Sequence, residues 1–365
     1  MTRSVLILAL LWGFAMETTA QKTVICQLAG DFREGVAPFQ LDNKWGFMDT
    51  RGNVLIEPRY KADIRNTTPI FSHGMAAVRD PSTGNMFYIL PSGEPAFDRQ
   101  FPKAYDFSDG IAFVQPTHYS TTAQLINSKG ENITAEFRAD DSFKPFACGR
   151  ALSNRKYLDK SGKIVIEGPF TAATSFSDGL AAVQEGYAKW GFIDTAGTVV
   201  IPYRYTREPK PFSDGRAFVQ GTNGKWGIID KQGNLITEPV YNVIYPFNSG
   251  VAVVSMVSER WTETWYIIDT EGKVVKTFAP SANTAETITL NGGFSEGLAI
   301  ATKGYKKGLI DTKGNPVTAF AYRLMRPVSG GMAYFEKMDD KTKKIVKGFL
   351  DTKGKEMIYL EDPMF

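Results

Sequence analysis

The chain of 365 residues is poor in the residue types on which most enzyme chemistry rests. It holds two histidines, His73 and His118, and two cysteines, Cys26 and Cys148. No C-x-x-C, H-E-x-x-H, G-x-S-x-G, phosphate-binding or dinucleotide-binding spacing occurs, which removes the usual zinc, redox, hydrolase and nucleotide readings and leaves no cofactor to expect. Two cysteines so far apart cannot scaffold a chain of this length, and they read as two buried thiols rather than a bridge. Charge of one sign is also scarce. The 42 basic and 39 acidic residues are well mixed, which speaks against nucleic acid and gives no sign of a membrane-surface protein. The one long apolar run, Val5 to Met16, follows Arg3 and precedes the small residues Thr18-Thr19-Ala20. It is too short to span a bilayer comfortably and reads as a secretory signal over residues 1–20, so export to the periplasm, cell surface or medium is expected.

Glycine and aromatics are plentiful instead, with 34 Gly, 25 Phe and 15 Tyr, a balance that favours a turn-rich β protein. The phrase KWGFIDTAGTVVIPYRY at 189–205 has a near copy, KWGFMDTRGNVLIEPRY, at 44–60. A second phrase, F-S-x-G, recurs at Phe71, Phe107, Phe176, Phe212 and Phe294, with looser copies ending at Gly35, Gly149, Gly250 and Gly331. D-T-x-G-like turns alternate with these glycines. One domain over 21–365 therefore repeats a unit of about 36 residues nine times, with units starting near 31, 71, 107, 146, 176, 212, 247, 294 and 328. In the fifth unit Leu180 to Val183, Trp190 to Ile193 and Thr198 to Ile201 read as three antiparallel strands. Asp194 to Gly197 is the chemistry of a hairpin turn, and Pro202 is read as the end of pairing.

These residues resemble the WG-repeat family, also called the WG-containing or KWG repeat, which is found widely in bacterial proteins. The resemblance rests on Trp45-Gly46, Trp190-Gly191 and Trp226-Gly227 and spans nearly the whole chain after the signal. Four units depart from it at Phe87-Tyr88, Gln124-Leu125, Lys156-Tyr157 and Trp265-Tyr266, while two keep only Lys307-Gly308 and Lys347-Gly348. The family implies an all-β repeat fold and transfers no catalytic residues. An open, curved β array is the favoured arrangement, because Val24 to Cys26 and Glu356 to Tyr359 leave no strand evidently missing; a closed propeller is the alternative.

The Trp-Gly pairs are read as packing between units, and the recurrent turn aspartates as caps rather than calcium ligands, since each turn brings one carboxylate. Functional expectation moves to the places where the units differ. Three insertions between strands carry His118 and Tyr119, Arg260 and Trp261, and Asp339 and Lys341, all on one face of the array and all candidates for partner contact. A further insertion, Thr277 to Asn291, reads as a mobile loop. The leading expectation is a non-catalytic exported protein that offers a β surface to a protein or peptide partner. Carbohydrate binding through Tyr119 and Trp261 comes second and a cell-envelope hydrolase third.

Overall fold

A computed structural model describes residues 21–62, 68–117, 122–135, 137–138, 143–186 and 189–363. Nine small sheets stand in a ring, one per repeat, and form a nine-bladed β-propeller. In the first blade, strand β1 (Lys22–Ile25) is followed by β2 (Leu28–Ala29), β3 (Val36–Leu41), β4 (Lys44–Asp49) and β5 (Val54–Lys61), and the sheet order is β2-β3-β4-β5. Six of the nine units are meanders of four strands, A to D, where the sequence suggested three, and the second, sixth and eighth keep three. The extra strand A is the end of the connector, often only two residues long, such as Lys103–Ala104 and Val243–Ile244.

The open array is overturned by β1. It belongs to none of the strands of its own blade and instead lies parallel to Glu356–Glu361, the last strand of the ninth, with Val24 opposite Leu360. The N-terminal strand, which in the sequence left nothing evidently missing from an open array, is therefore the fastener of the ring. Closure is needed because both faces of every sheet are apolar. Along β4 Trp45 and Phe47 turn to the second blade while Met48 turns to the ninth; in the fifth blade Phe192 turns forward and Ile193 back. That period of two with no polar face is the pattern of strands buried on both sides. The core is accordingly nine wedges, one between each pair of neighbouring blades, and an open array would leave two of these faces in water. The ninth wedge, Phe32, Phe39, Met48, Met332, Phe349 and Ile358 with Val24 and Cys26, is built like the other eight.

The two repeated turns hold adjacent blades together. In the fifth unit the N–H groups of Ser177 and Leu180 donate to each other's carbonyls, at 2.9 and 3.1 Å, and Asp178 and Gly179 between them have φ of 53° and 85°. This is a two-residue turn whose twist matches that of the strands. The Ser177 hydroxyl donates to the carbonyl of Phe212 in the next blade at 2.7 Å. The same bond joins Ser72 to Phe107, Ser213 to Phe247, Ser295 to Val328 and, across the closure, Ser329 to Phe32. The acid after the serine reaches forward too. Asp178 accepts from the Gly215 N–H, Asp214 from Gly250, and Glu34 and Glu296 each accept from two successive N–H groups of the following turn.

The D-T-x-G turns carry the second clamp. Asp194 Oδ1 accepts from the N–H groups of Ala196 and Thr198, both at 2.9 Å, which closes the hairpin. The carbonyl of the turn glycine then receives the guanidinium of the preceding blade's strand D, as Arg59 Nη2 donates to Gly93 O at 2.8 Å and Arg204 to Gly233 O. A Cβ on Gly233 would stand 2.7 Å from Arg204 Nη2 in addition to being strained at a φ of 81°. The PRY and YRY endings of the two long phrases are thus one half of this clamp.

Three further readings are corrected. Pro202 does not end strand D: pairing resumes beyond it, with Phe192 opposite Ile201 and Trp190 opposite Tyr205, so two extra residues form a bulge around the proline. Cys26 is buried but Cys148 is exposed, because Cys148 occupies the left-handed position of its turn at a φ of 54°. The segment read as a mobile loop is ordered into the end of the strand Val274–Phe278, a 3₁₀ turn at Thr284–Glu286 and the strand Ile288–Leu290, and Glu286 pairs with Lys303 at 2.5 Å.

Candidate functional site

The signature residues Trp45, Gly46, Trp190, Gly191, Trp226 and Gly227 lie on strand C. Trp45 and Trp190 are buried in the wedges that face the next blade, and Trp226 is half-buried with Lys210 Nζ 5.2 Å from its ring centre. The glycine serves the bulge of strand D. A Cβ on Gly191 would stand 2.6 Å from the carbonyl oxygen of Ile201, and one on Gly46 would stand 2.6 Å from that of Ile56. Only a residue without a side chain lets the bulged neighbour come so near. Trp and Gly are therefore two halves of one packing device.

The alternation of turns sorts the surface into two faces. The F-S-x-G and D-T-x-G turns share one face, where their side chains are consumed by the clamps between blades. That face holds the one Ser–His contact among the described residues, Ser72 Oγ to His73 Nδ1 at 3.2 Å. The Ser72 hydroxyl already donates to Phe107 O, so its proton is committed to a clamp and the pair is no activated nucleophile. Among the described residues no cluster of His, Cys, Asp and Glu could hold a metal ion.

The opposite face bears the hairpins between strands B and C and the connectors between blades. The insertions of the seventh and ninth units lie here. His118 and Tyr119 lie outside the described residues. Arg260 and Trp261 form the tip of the seventh blade's hairpin, and Asp339 and Lys341 that of the ninth. The Asp339 carboxylate accepts from the N–H groups of Thr342 and Lys341, which holds it below the usual carboxylate range.

A cleft that sequence reasoning missed opens on this face between the first three blades. It measures about 750 Å³ and is lined by Trp45, Tyr60, Lys61, Arg79, Lys103, Tyr105, Asp106 and Gln115. Among the described residues, the buried Trp45 indole N–H at its wall has no hydrogen-bond partner. Lys103 Nζ sits 4.8 Å from the centre of the Tyr105 ring, and burial pushes the Asp106 carboxyl up, with Arg33 opposing. A second cavity of about 310 Å³ shares Lys103, Tyr105, Asp106 and Gln115 and continues to Phe113 and Phe143, whose rings stack at 4.3 Å. Connector residues make most of this wall, and connectors carry the least of the repeat, so no motif pointed to it.

A family signature described as the WG containing repeat matches residues 25–45, 45–80, 88–115, 157–187, 190–226, 226–256 and 308–341, more than half of the chain. No curated protein matches the sequence. Among solved structures, the chain is similar to BamB from Moraxella catarrhalis at 12% identity, with 78% of this chain and 80% of that one covered and a TM-score of 0.32. It is similar to Hsv2 from Kluyveromyces lactis at 9% identity, covering 87% and 95%, with a TM-score of 0.31. Apo AztD from Citrobacter koseri is likewise similar, at 11% identity, 92% and 98% coverage and a TM-score of 0.33.

Proposed function

Starting from the premise that the chain belongs to the family of WG containing repeats, we propose that it is an exported, non-catalytic scaffold that binds a segment of a protein partner on its hairpin face. The observation that carries this reading is the cleft between the first three blades and the unpaired indole N–H of Trp45 in its wall. A buried donor without an acceptor costs about 1–3 kcal/mol, and a backbone carbonyl of a bound peptide would recover that cost. Lys61 and Lys103 around the opening favour a segment that carries acidic side chains. The repeat itself supports a scaffold: its polar side chains are spent on joining blades, which leaves the cleft as the place where chemistry is free to face a ligand.

The test is selection of displayed random peptides on the purified protein, followed by titration of the best binder. Trp45→Phe keeps an aromatic ring in the wedge and removes the donor, and it is expected to weaken binding about tenfold. Lys103→Glu is expected to weaken acidic peptides further. Enrichment of no peptide, or equal affinity in both variants, would refute the assignment of the cleft.

A further inference from the structure

The tips of the B–C hairpins differ around the ring in a way that the repeat does not require. In the first, second, fourth and sixth blades they are polar: Asp42-Asn43, Pro81-Ser82-Thr83, Asn154-Arg155 and Thr222-Asn223. In the seventh, eighth and ninth blades they carry large apolar groups. Trp261 is 89% exposed, Tyr305 is 97% exposed, and Met338 and Ile345 face each other across the ninth hairpin, each more than two-fifths exposed. The three blades are neighbours, joined by shared core wedges, so their tips stand side by side on the hairpin face.

Neither turn chemistry nor packing accounts for the aromatics. The Trp261 hairpin is closed by Ser258 N–H to Thr262 O and by Trp261 N–H to Ser258 O, the two bonds that close every D-T-x-G turn. In those turns the residue at the position of Trp261 is glycine, and Trp261 stands there at a φ of 58°. An indole in a left-handed conformation and in water is disfavoured twice in the free protein. Tyr305 likewise follows Gly304 in a two-residue turn where any polar residue would serve. The same tips carry more cations than acids. Arg260, Lys306, Lys341, Lys343 and Lys344 are exposed, and of the acids beside them, Glu259, Glu263, Asp339 and Asp340, Asp339 is taken up by its own turn and Glu263 accepts from the Ser255 hydroxyl. The balanced charge of the whole chain conceals this local excess.

We propose that the hairpin tips of blades seven to nine form a membrane-contact face that inserts Trp261, Tyr305 and Met338 into the interfacial layer of an anionic bilayer. The tips project rather than enclose. Exposed rings that stand singly on hairpin ends suit a lipid interface, which accepts projecting rings and needs no pocket. Trp and Tyr are suited to that layer because their rings are apolar with one polar edge, and lysines at the same level meet the lipid phosphates. This inference stands apart from the cleft between blades one to three and survives or fails without it.

The test is flotation of the chain from Gln21, which contains the whole closed ring and lacks the apolar Val5–Met16 run, with vesicles of equal parts phosphatidylglycerol and phosphatidylcholine. The protein is expected to float with these vesicles, to float far less with pure phosphatidylcholine, and to be released by high salt. The double variant Trp261→Ser/Tyr305→Ser is expected to bind at least about tenfold more weakly with an unchanged melting temperature, because neither side chain touches the core. The triple variant Lys341→Glu/Lys343→Glu/Lys344→Glu is expected to lose binding to anionic vesicles, and Thr222→Ala/Asn223→Ala to keep it. Absence of flotation at low salt, or equal flotation of the Trp261/Tyr305 double variant, would overturn the proposal. So would Trp261-dependent binding to a glycan array or to a captured protein without flotation.

Discussion

The Ser329 hydroxyl donates to the carbonyl of Phe32 at 2.7 Å, joining the last repeat to the first with the same bond that Ser177 makes to Phe212 between neighbours in sequence. The closing interface is thus chemically one of the nine internal ones. Asp31 reinforces it, 3.0 Å from Arg326 Nη1, as does the Ala29 carbonyl, which accepts from Arg326 Nη2 at 3.1 Å.

Each serine clamp should be worth a neutral hydrogen bond. Ser329→Ala and Ser213→Ala are expected to lower stability by similar amounts, about 0.5–1.5 kcal/mol each, in chemical denaturation. A much smaller loss for Ser329→Ala than for Ser213→Ala would mean that the closing contact is weaker than the internal ones.

Gly191→Ala should be among the most damaging single-methyl additions in the chain. The new Cβ would meet the Ile201 carbonyl at 2.6 Å, backbone that moves only by undoing the bulge, and a loss of about 1–3 kcal/mol or more is expected. Gly35→Ala is the control, since a Cβ there meets nothing within 4 Å and the cost is that of a left-handed alanine alone. Thermal melting of the two variants separates steric overlap from backbone strain.

Stability should fall in acid through the turn carboxylates. Ser82 O–H and the N–H groups of Thr83 and Ser82 hold Asp80 down at about 2, and the Ser161 hydroxyl leads the groups that hold Asp159 below its ordinary range. A depressed folded value means stability fully present above the unfolded value near 4 and lost as pH falls through the folded one. Melting temperature is therefore expected to decline below about pH 4. Asp159→Asn should be less sensitive there, since Asn127 already fills the same turn position without titrating.

The two thiols should separate cleanly. Burial, and then Asp362, push Cys26 up to about 11 with Lys347 opposing, while Cys148 is exposed on its turn. A disulfide reagent at neutral pH is expected to titrate one thiol in the folded protein and two after denaturation. Rapid modification of both in the native state would mean that the first strand leaves its seat beside the ninth blade.

The period of the repeat, the two turn phrases and the strand character of LAAV, WGFI and TVVI were legible because turn chemistry and alternation are local properties. Closure was not. Val24-Ile25-Cys26 reads the same whether it caps an array or fastens a ring, and the parallel pairing to Glu356–Glu361 lies at the far end of the sequence. Its one local sign was that strands such as LAAV and GFID show no solvent face, which a last open sheet could not tolerate. Arg260, Trp261, Asp339 and Lys341 lie on the hairpin face. The cleft at Trp45 was missed because Trp45 was assigned wholly to packing. Its ring is packed, but its N–H has no partner among the described residues, and the cleft beside it is walled by Lys103 and Tyr105, which a later connector brings in.

The closed ring is tested most directly by a disulfide trap across the fastener. Thr23 and Tyr359 are opposite each other in the parallel register, within the reach a disulfide requires. In a chain with Cys26→Ala and Cys148→Ser, the pair Thr23→Cys and Tyr359→Cys should cross-link under mild oxidation of the folded protein and migrate as a circularised species without reductant. Formation of that species, with a raised melting temperature, is the predicted result. Free thiols that persist in folded, oxidised protein would place the two ends of the chain apart and contradict the ring.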